Sequence, residues 1–160
     1  MSWQPPPEGW CKLKCNGSFP SFYQIATTWD ILMDNRGRFL MGFSSFLGTC
    51  MITHEELNVI LKGLQLVKSK GLVKILVEFD SKTAIKFLSK GCPLNHHVVH
   101  VVDSIWRLIF ADMEVRLFHW FREMNVVVDS FVNHAKSLAR GCIIVPLILF
   151  LCCYWLMSQV

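Results

Sequence analysis

Four residues whose side chains can bind a metal ion stand at or near the ends of predicted secondary-structure elements. They are Asn16 at the end of the first strand, Glu56 in the first helix, Asp80 after the fourth strand and Asp129 in the last helix. Ligand sites in open α/β sheets collect at strand ends, so residues that are far apart in the chain can converge there. Three converging carboxylates would form a hard-oxygen site that suits magnesium.

Each of these residues also has a local alternative. The helical phase favours Glu56 over Glu55, because Glu56 flanks the apolar stripe at 100° per residue and Glu55 is predicted to point away from it. As the alternative, Glu56 would complete a capping box with Thr53. Asp80 would instead cap the second helix, and Asp129 would favour the positive end of the last helix. Taken singly, each local role is the simpler interpretation, and only their convergence would make a site.

The first third of the chain predicts an antiparallel meander. Strand-like runs cover residues 11–15, 28–33 and 39–46. The sequence Asp-Asn-Arg-Gly at residues 34–37 is typical of a hairpin turn between the last two runs.

The rest of the chain alternates helices with strands. A first helix is predicted from residue 53 to a stop at Gly71, and its apolar stripe consists of Leu57, Ile60, Leu64 and Val67. The later elements are a strand at 74–79, a helix at 80–89, a helix at 98–110, a strand at 114–121 and a helix at 126–139. The order βββαβααβα predicts an α/β domain in which three antiparallel strands precede strands that alternate with helices.

The length and composition predict one globular domain with a short segment at each end. The 160 residues fit one domain of ordinary size, and 52% apolar against 18% charged residues exclude a disordered chain. The formal charge of +4 permits contact with phosphates without requiring it. We expect a Pro-rich leader at residues 1–9, the domain at residues 10–140 and a hydrophobic tail at residues 141–160.

The two ends of the chain and the cysteines indicate the compartment. The start lacks the basic and apolar stretches of a secretory signal. The seven cysteines form neither a CxxC motif nor a Cys/His pattern typical of zinc, so we expect free thiols in a reducing compartment.

As a helix, residues 142–157 of the hydrophobic tail would span about 24 Å, less than the roughly 30 Å hydrocarbon core of a membrane. A membrane anchor and a non-native extension both stay open for this tail.

Five segments together resemble the ribonuclease H domain of plant non-LTR retroelements. They are PPPEGWCKLKCNGS, DNRGRFLMGFS, HEEL, LVEFDS and HWFREMNVVVD, which in order and spacing cover roughly residues 5–139. The resemblance implies a ribonuclease H-like fold, with a mixed five-stranded sheet and helices on its faces. It also implies cleavage of the RNA strand of an RNA–DNA hybrid by four carboxylates and two magnesium ions.

The resemblance assigns roles by position. It places four residues at the metal-binding and catalytic positions of the family, namely Asn16, Glu56, Asp80 and Asp129. His119 stands at the position of the family's mobile histidine, which would serve in proton transfer or product release. The alternative for His119 is a strand residue packed beside Trp120. The cofactor implied is two Mg²⁺ ions, and the partner implied is an RNA–DNA hybrid.

The chain departs from the family pattern at Asn16, where the family has the Asp of D-G-S or D-G-A. In a two-metal mechanism this first carboxylate bridges ions that lie about 3.5 to 4 Å apart. An amide brings no charge, and a unit pair at 4 Å is worth about 4 kcal/mol at an effective dielectric near 20, or about a thousandfold in rate. A second departure places bulky Phe22, Tyr23 and Trp29 in a segment that is Gly-rich in the family, where they would crowd a nucleic-acid backbone.

These observations predict an RNase H-type domain that binds nucleic acid and whose hydrolytic activity is reduced or lost. The alternatives are a non-catalytic interaction scaffold and a non-functional retroelement fragment, with or without a tail anchor. We expect a nuclear or cytoplasmic location, with membrane association only through the tail. The candidate phosphate contacts are Lys12, Lys14, Arg36, Arg38 and Arg122. For most of them, solvated surface charge is the simpler interpretation.

Overall fold

The computed structural model describes residues 5–18, 26–48, 52–120 and 143–145. Within them the elements are β1 Cys11–Ser18, β2 Ala26–Met33, β3 Phe39–Gly48, α1 Ile52–Ser69, β4 Lys74–Phe79, α2 Lys82–Lys90, α3 Val99–Asp112, β5 Glu114–His119 and β6 Ile143–Val145. The order βββαβααβ predicted for the first eight elements is confirmed. The helix predicted at 126–139 lies outside the described residues.

The described strands form one mixed sheet in the order β5-β4-β1-β2-β3-β6. β1, β2 and β3 are antiparallel neighbours, whereas β4 pairs in parallel with both β1 and β5. The predicted mixed sheet of five strands is therefore confirmed. Because β3 has the same direction as β1, helix α1 begins at the edge where β1, β4 and β5 end, and α2 begins there too.

Part of the predicted hydrophobic tail pairs with this sheet. β6 runs antiparallel to β3, with Ile144 opposite Phe43. Among the residues that the structure describes, no helix combines the length and the low polarity needed to cross a bilayer. Most of residues 141–160 lies outside the described part, so the boundary between domain and tail and the role of the tail stay predictions.

The Asp-Asn-Arg-Gly turn connects β2 to β3 as predicted, and the side chain of Asp34 organises it. Oδ1 of Asp34 accepts hydrogen bonds from the backbone N–H groups of Arg36 and Arg38, both at 2.9 Å. Oδ2 pairs with Nε of Arg38 at 2.6 Å. Gly37 has a φ of 74°, a left-handed conformation that glycine adopts without a Cβ clash. The turn thereby helps to set the register between β2 and β3.

Helix α1 is buried on two sides because it contacts both the sheet and α3. Full burial is found for the whole predicted apolar stripe of Leu57, Ile60, Leu64 and Val67. A second line at i, i+4 and i+8 is buried as well, and it consists of Glu55, Val59 and Gly63. A Cβ on Gly63 would lie 2.8 Å from Cδ2 of Leu13 in β1, so this line faces the sheet. Glu55 lies away from the apolar stripe as predicted, but its side of α1 is buried as well, because one apolar stripe reports only one of two buried sides.

Candidate active site

The predicted site residues on the parallel strands lie at one edge of the sheet. In the parallel register of β1 and β4, Lys14 is opposite Glu78. Asn16 stands two residues after Lys14 and Asp80 two residues after Glu78, so the backbones of both reach the same edge. His119 is the last residue of β5 and is opposite the last residue of β4. The topology therefore gathers three of the predicted positions.

Glu56 comes to this edge from the start of α1. Its Oε2 accepts a hydrogen bond from Oγ of Ser81 at 2.5 Å, between residues 25 positions apart in the sequence. The same Oγ accepts a hydrogen bond from the backbone N–H of Ala84 at 3.1 Å, because Ser81 is the N-cap of α2. Since Ser81 directly follows Asp80, this contact brings Glu56 beside the end of β4.

The half-buried imidazole of His119 contacts the end of β4. Its Nε2 lies 3.2 Å from the backbone carbonyl oxygen of Asp80. In the tautomer with hydrogen on Nε2, the ring donates to this carbonyl and Nδ1 is left as an acceptor. The backbone N–H of Trp120 donates to the carbonyl of Phe79 at 2.9 Å and extends the pairing of the two strands beyond His119.

The thiol of Cys15, in the middle of β1, is buried. Burial raises the pKa of Cys15 well above the ordinary thiol value, and the carboxylates of Asp30 and Asp80 raise it further. Asp80 is therefore within electrostatic reach of the residue that precedes Asn16. The raised pKa keeps the thiol protonated, so Cys15 is not an activated nucleophile.

The structure thus brings Glu56, Asp80 and His119 to one edge and places the backbone of Asn16 there. The side chain of Asn16 and the whole of Asp129 lie outside the described residues. Among the side chains that are described, no three His, Cys, Asp or Glu residues cluster closely enough to hold a metal ion. Glu56 and Asp80 are two hard-oxygen ligands of the kind magnesium prefers. A complete metal site would need the ligands predicted at positions 16 and 129 as well.

Two of the local alternatives are wrong. Helix α1 begins at Ile52, so Thr53 lies within the first turn rather than before it. The carboxylate of Glu56 accepts a hydrogen bond from Ser81, which stands at the start of a different helix. Helix α2 is capped by Ser81 and not by Asp80. The sequence interpretation missed Ser81 as a site residue, although a serine between a strand end and a helix start is a usual N-cap signal.

Two lysines of β1 that were candidate phosphate contacts form an ionic cluster with β4. Nζ of Lys12 lies 2.5 Å from Oε1 of Glu78, and Nζ of Lys14 lies 3.8 Å from Oε2 of the same residue. Lys12 is only 3% exposed, so it is neither a phosphate contact nor a solvated surface charge. Burial lowers the pKa of Lys14, and Glu78 opposes that shift. Lys14 also lies 5.1 Å from the ring centre of Trp120.

A family model described as reverse transcriptase-like matches residues 14–135. The chain belongs to this family. A candidate ribonuclease H protein of Arabidopsis thaliana is 29% identical over 141 residues, which is 88% of this chain. The chain spans only 23% of the length of that relative. The family match and this relative confirm the predicted ribonuclease H-like domain of the retroelement type.

Solved ribonuclease H structures share the fold of this reverse transcriptase-like domain. The RNase H1 of the archaeon Halobacterium salinarum has a TM-score of 0.71 at 17% identity, and the match covers 81% of this chain and 99% of that one. LC11-RNase H1, solved in complex with an RNA/DNA hybrid, has a TM-score of 0.69 at 18% identity with the same coverage. At these identities the likeness establishes the fold alone, and it confirms the predicted ribonuclease H-like architecture.

The edge of the reverse transcriptase-like domain combines two kinds of reactive groups. The carboxylates of Glu56 and Asp80 offer negatively charged oxygens to a hard cation. The imidazole of His119 can accept or release a proton. All three side chains are only partly buried, so a ligand can reach them. The arrangement is therefore suited to chemistry on a charged, oxygen-rich substrate.

Proposed function

We propose that this domain binds an RNA–DNA hybrid and descends from a nuclease that cut the RNA strand of such hybrids. The observation that carries the proposal is the convergence of Glu56, Asp80 and His119 from three separate elements at one sheet edge. The family match and a structural relative solved with an RNA/DNA hybrid support the hybrid as the nucleic acid.

Magnesium is the cofactor that we propose for this edge, held by the ligands Asn16, Glu56, Asp80 and Asp129. When bound, two such ions supply the charge that stabilises the attacking and leaving oxygens of a phosphodiester. Glu56 and Asp80 fit because both are oxygen donors at the same edge of the sheet, where α1 begins and β4 ends. The imidazole of His119, whose Nε2 lies beside the carbonyl of Asp80, is the group that would take up and release a proton.

The neutral Asn16 is the reason for proposing that turnover is reduced or lost. An amide oxygen can ligate a cation but offsets none of its charge. One missing charge at 4 Å corresponds to about 4 kcal/mol at an effective dielectric near 20, or about a thousandfold in rate. The fold does not depend on this charge, so hybrid binding is expected to outlast catalysis.

The test measures binding and cleavage of a labelled RNA–DNA hybrid by the full chain with magnesium. We expect the unmodified chain to bind the hybrid without cleaving it above background. Asn16→Asp should restore cleavage, by up to about a thousandfold. Asn95→Asp changes an exposed asparagine in the loop after α2 and is the matched control, which should restore nothing.

Two outcomes would overturn the proposal in different ways. Robust cleavage by the unmodified chain would contradict the reduced activity and show that Asn16 suffices. Failure of both the unmodified chain and Asn16→Asp to bind the hybrid would contradict the nucleic-acid function. The non-catalytic interaction scaffold would then be the better interpretation.

A further inference from the structure

Ser81 makes a contact that joins two helices at the candidate site. Its side chain is buried, with 8% of the residue exposed. Oγ accepts the N–H of Ala84 and donates its only hydrogen to Oε2 of Glu56. The backbone of Ser81 is extended, with φ −88° and ψ 107°, as an N-cap residue requires.

The two hydrogen bonds leave the hydroxyl group little freedom. The N–H of Ala84 belongs to the first turn of α2 and fixes the position of Oγ relative to that helix. A hydroxyl group has one hydrogen, so its donation to Glu56 has a defined direction. The serine backbone is joined directly to Asp80, so α2, the end of β4 and the Glu56 carboxylate are held together by one side chain.

We propose that Ser81 is a positioning residue, which orients the carboxylate of Glu56 for magnesium. This inference rests on the proposed function, because it concerns the same metal site. A glutamate has three side-chain torsions, and Glu56 is only partly buried, so α1 alone does not hold its carboxylate in one orientation. The hydrogen bond from Ser81 engages one oxygen and thereby sets the plane of the group.

The expected size of the effect follows from other metal sites. Loss of a residue that orients a metal ligand typically weakens metal affinity by about 10- to 100-fold. We therefore expect loss of the Ser81 hydroxyl to weaken magnesium binding by about tenfold. Folding stability should change little in a variant that keeps the cap conformation.

Three variants separate positioning from folding. Ser81→Gly removes the hydroxyl, and glycine is well tolerated at an N-cap. Ser81→Thr keeps an oxygen that can both accept from Ala84 and donate to Glu56. Ser104→Ala is the control, because Oγ of Ser104 donates to the carbonyl of His100 on an exposed face of α3.

Magnesium affinity is measured by calorimetry on the full chain, both unmodified and with Asn16→Asp, and folding is monitored by thermal unfolding. We expect Ser81→Gly to weaken magnesium binding by about tenfold, and Ser81→Thr and Ser104→Ala to leave it unchanged. In a Glu56→Gln background, Ser81→Gly should cause no further loss. The effect of Ser81→Gly disappears in this background only if Ser81 acts through Glu56, whereas a purely structural role of Ser81 would still weaken binding there.

The outcomes distinguish the two proposals. Unchanged magnesium affinity in Ser81→Gly, while Asn16→Asp binds magnesium and cleaves the hybrid, would overturn the positioning role alone. A loss in Ser81→Gly that persists undiminished in the Glu56→Gln background would also overturn it. If no variant, including Asn16→Asp, binds magnesium or hybrid, the proposed function itself fails.

Discussion

Asp30 of β2 lies directly opposite Cys15 of β1, and both side chains are buried beneath α1. The Asp30 residue is 1% exposed, and neither carboxyl oxygen accepts a hydrogen bond of conventional geometry within the described residues. The Cys15 thiol, a weak donor, faces it. Burial raises the pKa of Asp30 well above its ordinary value, and Cys15 and Lys62 offset only part of this rise. The folded state therefore favours the protonated acid.

We expect the folding stability to fall as the pH rises, because of Asp30. The folded-state pKa lies above the ordinary value of 3.8. The contribution of Asp30 to the folding stability is therefore fully present below pH 3.8. It is lost as the pH rises through the folded-state pKa. Asp30→Asn should remove this slope in urea unfolding curves recorded from about pH 4 to 9. Asp112→Asn, at the exposed end of α3, is the control, and a slope that survives in Asp30→Asn would contradict the prediction.

Gly63 allows α1 to approach the sheet closely. A Cβ at this position would meet Cδ2 of the fully buried Leu13 at 2.8 Å and Oδ2 of Asp30 at 3.3 Å. Overpacking typically costs about 1 to 3 kcal/mol, which exceeds the gain of up to about 1 kcal/mol in helix propensity. Gly63→Ala should therefore lower the free energy of unfolding by about 1 kcal/mol. Adding Leu13→Val should recover part of the lost free energy of unfolding. A Gly63→Ala variant more stable than the unmodified chain would contradict the prediction and show that α1 shifts to make room for the methyl group.

Glu78 in β4 and Lys12 in β1 form an ion pair. Both side chains are nearly inaccessible to solvent. Removing one partner of a buried pair leaves an uncompensated charge and typically costs about 3 to 5 kcal/mol. Glu78→Gln should lower the free energy of unfolding by about this amount in chemical denaturation. Glu114→Gln, in the exposed pairs of β5 with Lys74 and Arg116, should cost less than about 1 kcal/mol. Equal effects at the two positions would mean that the buried pair is solvated.

His119 is expected to matter only where catalysis has been restored. In the Asn16→Asp background, His119→Ala should lower kcat by about 100- to 10,000-fold through loss of proton transfer. Hybrid binding should be retained, since the proposed role of His119 is proton transfer and not the binding of the hybrid. His97→Ala, an exposed histidine before α3, is the control. An unchanged kcat would refute the proton-transfer role.

The sequence by itself determined the elements and their order, because strand and helix periods and turn residues act locally. The hairpin turn at Asp34 and the apolar stripe of α1 needed nothing beyond their own segments. The rule that ligand sites collect at strand ends also sufficed to nominate Asn16 and Asp80, and the helical phase selected Glu56 over Glu55 in α1. Asp129 was nominated by its place in the predicted last helix, and the family resemblance then assigned roles to all four positions.

Only the tertiary structure decided which side chains contact one another, because these contacts join residues that no local pattern relates. The burial of Glu55 depends on α1 being packed on two sides. The bond from Ser81 to Glu56 exists because α1 and α2 begin at the same sheet edge. The pairing of Asp30 with Cys15 beneath Gly63 depends on strand register and on the close approach of α1 to the sheet, and neither is encoded in a periodicity.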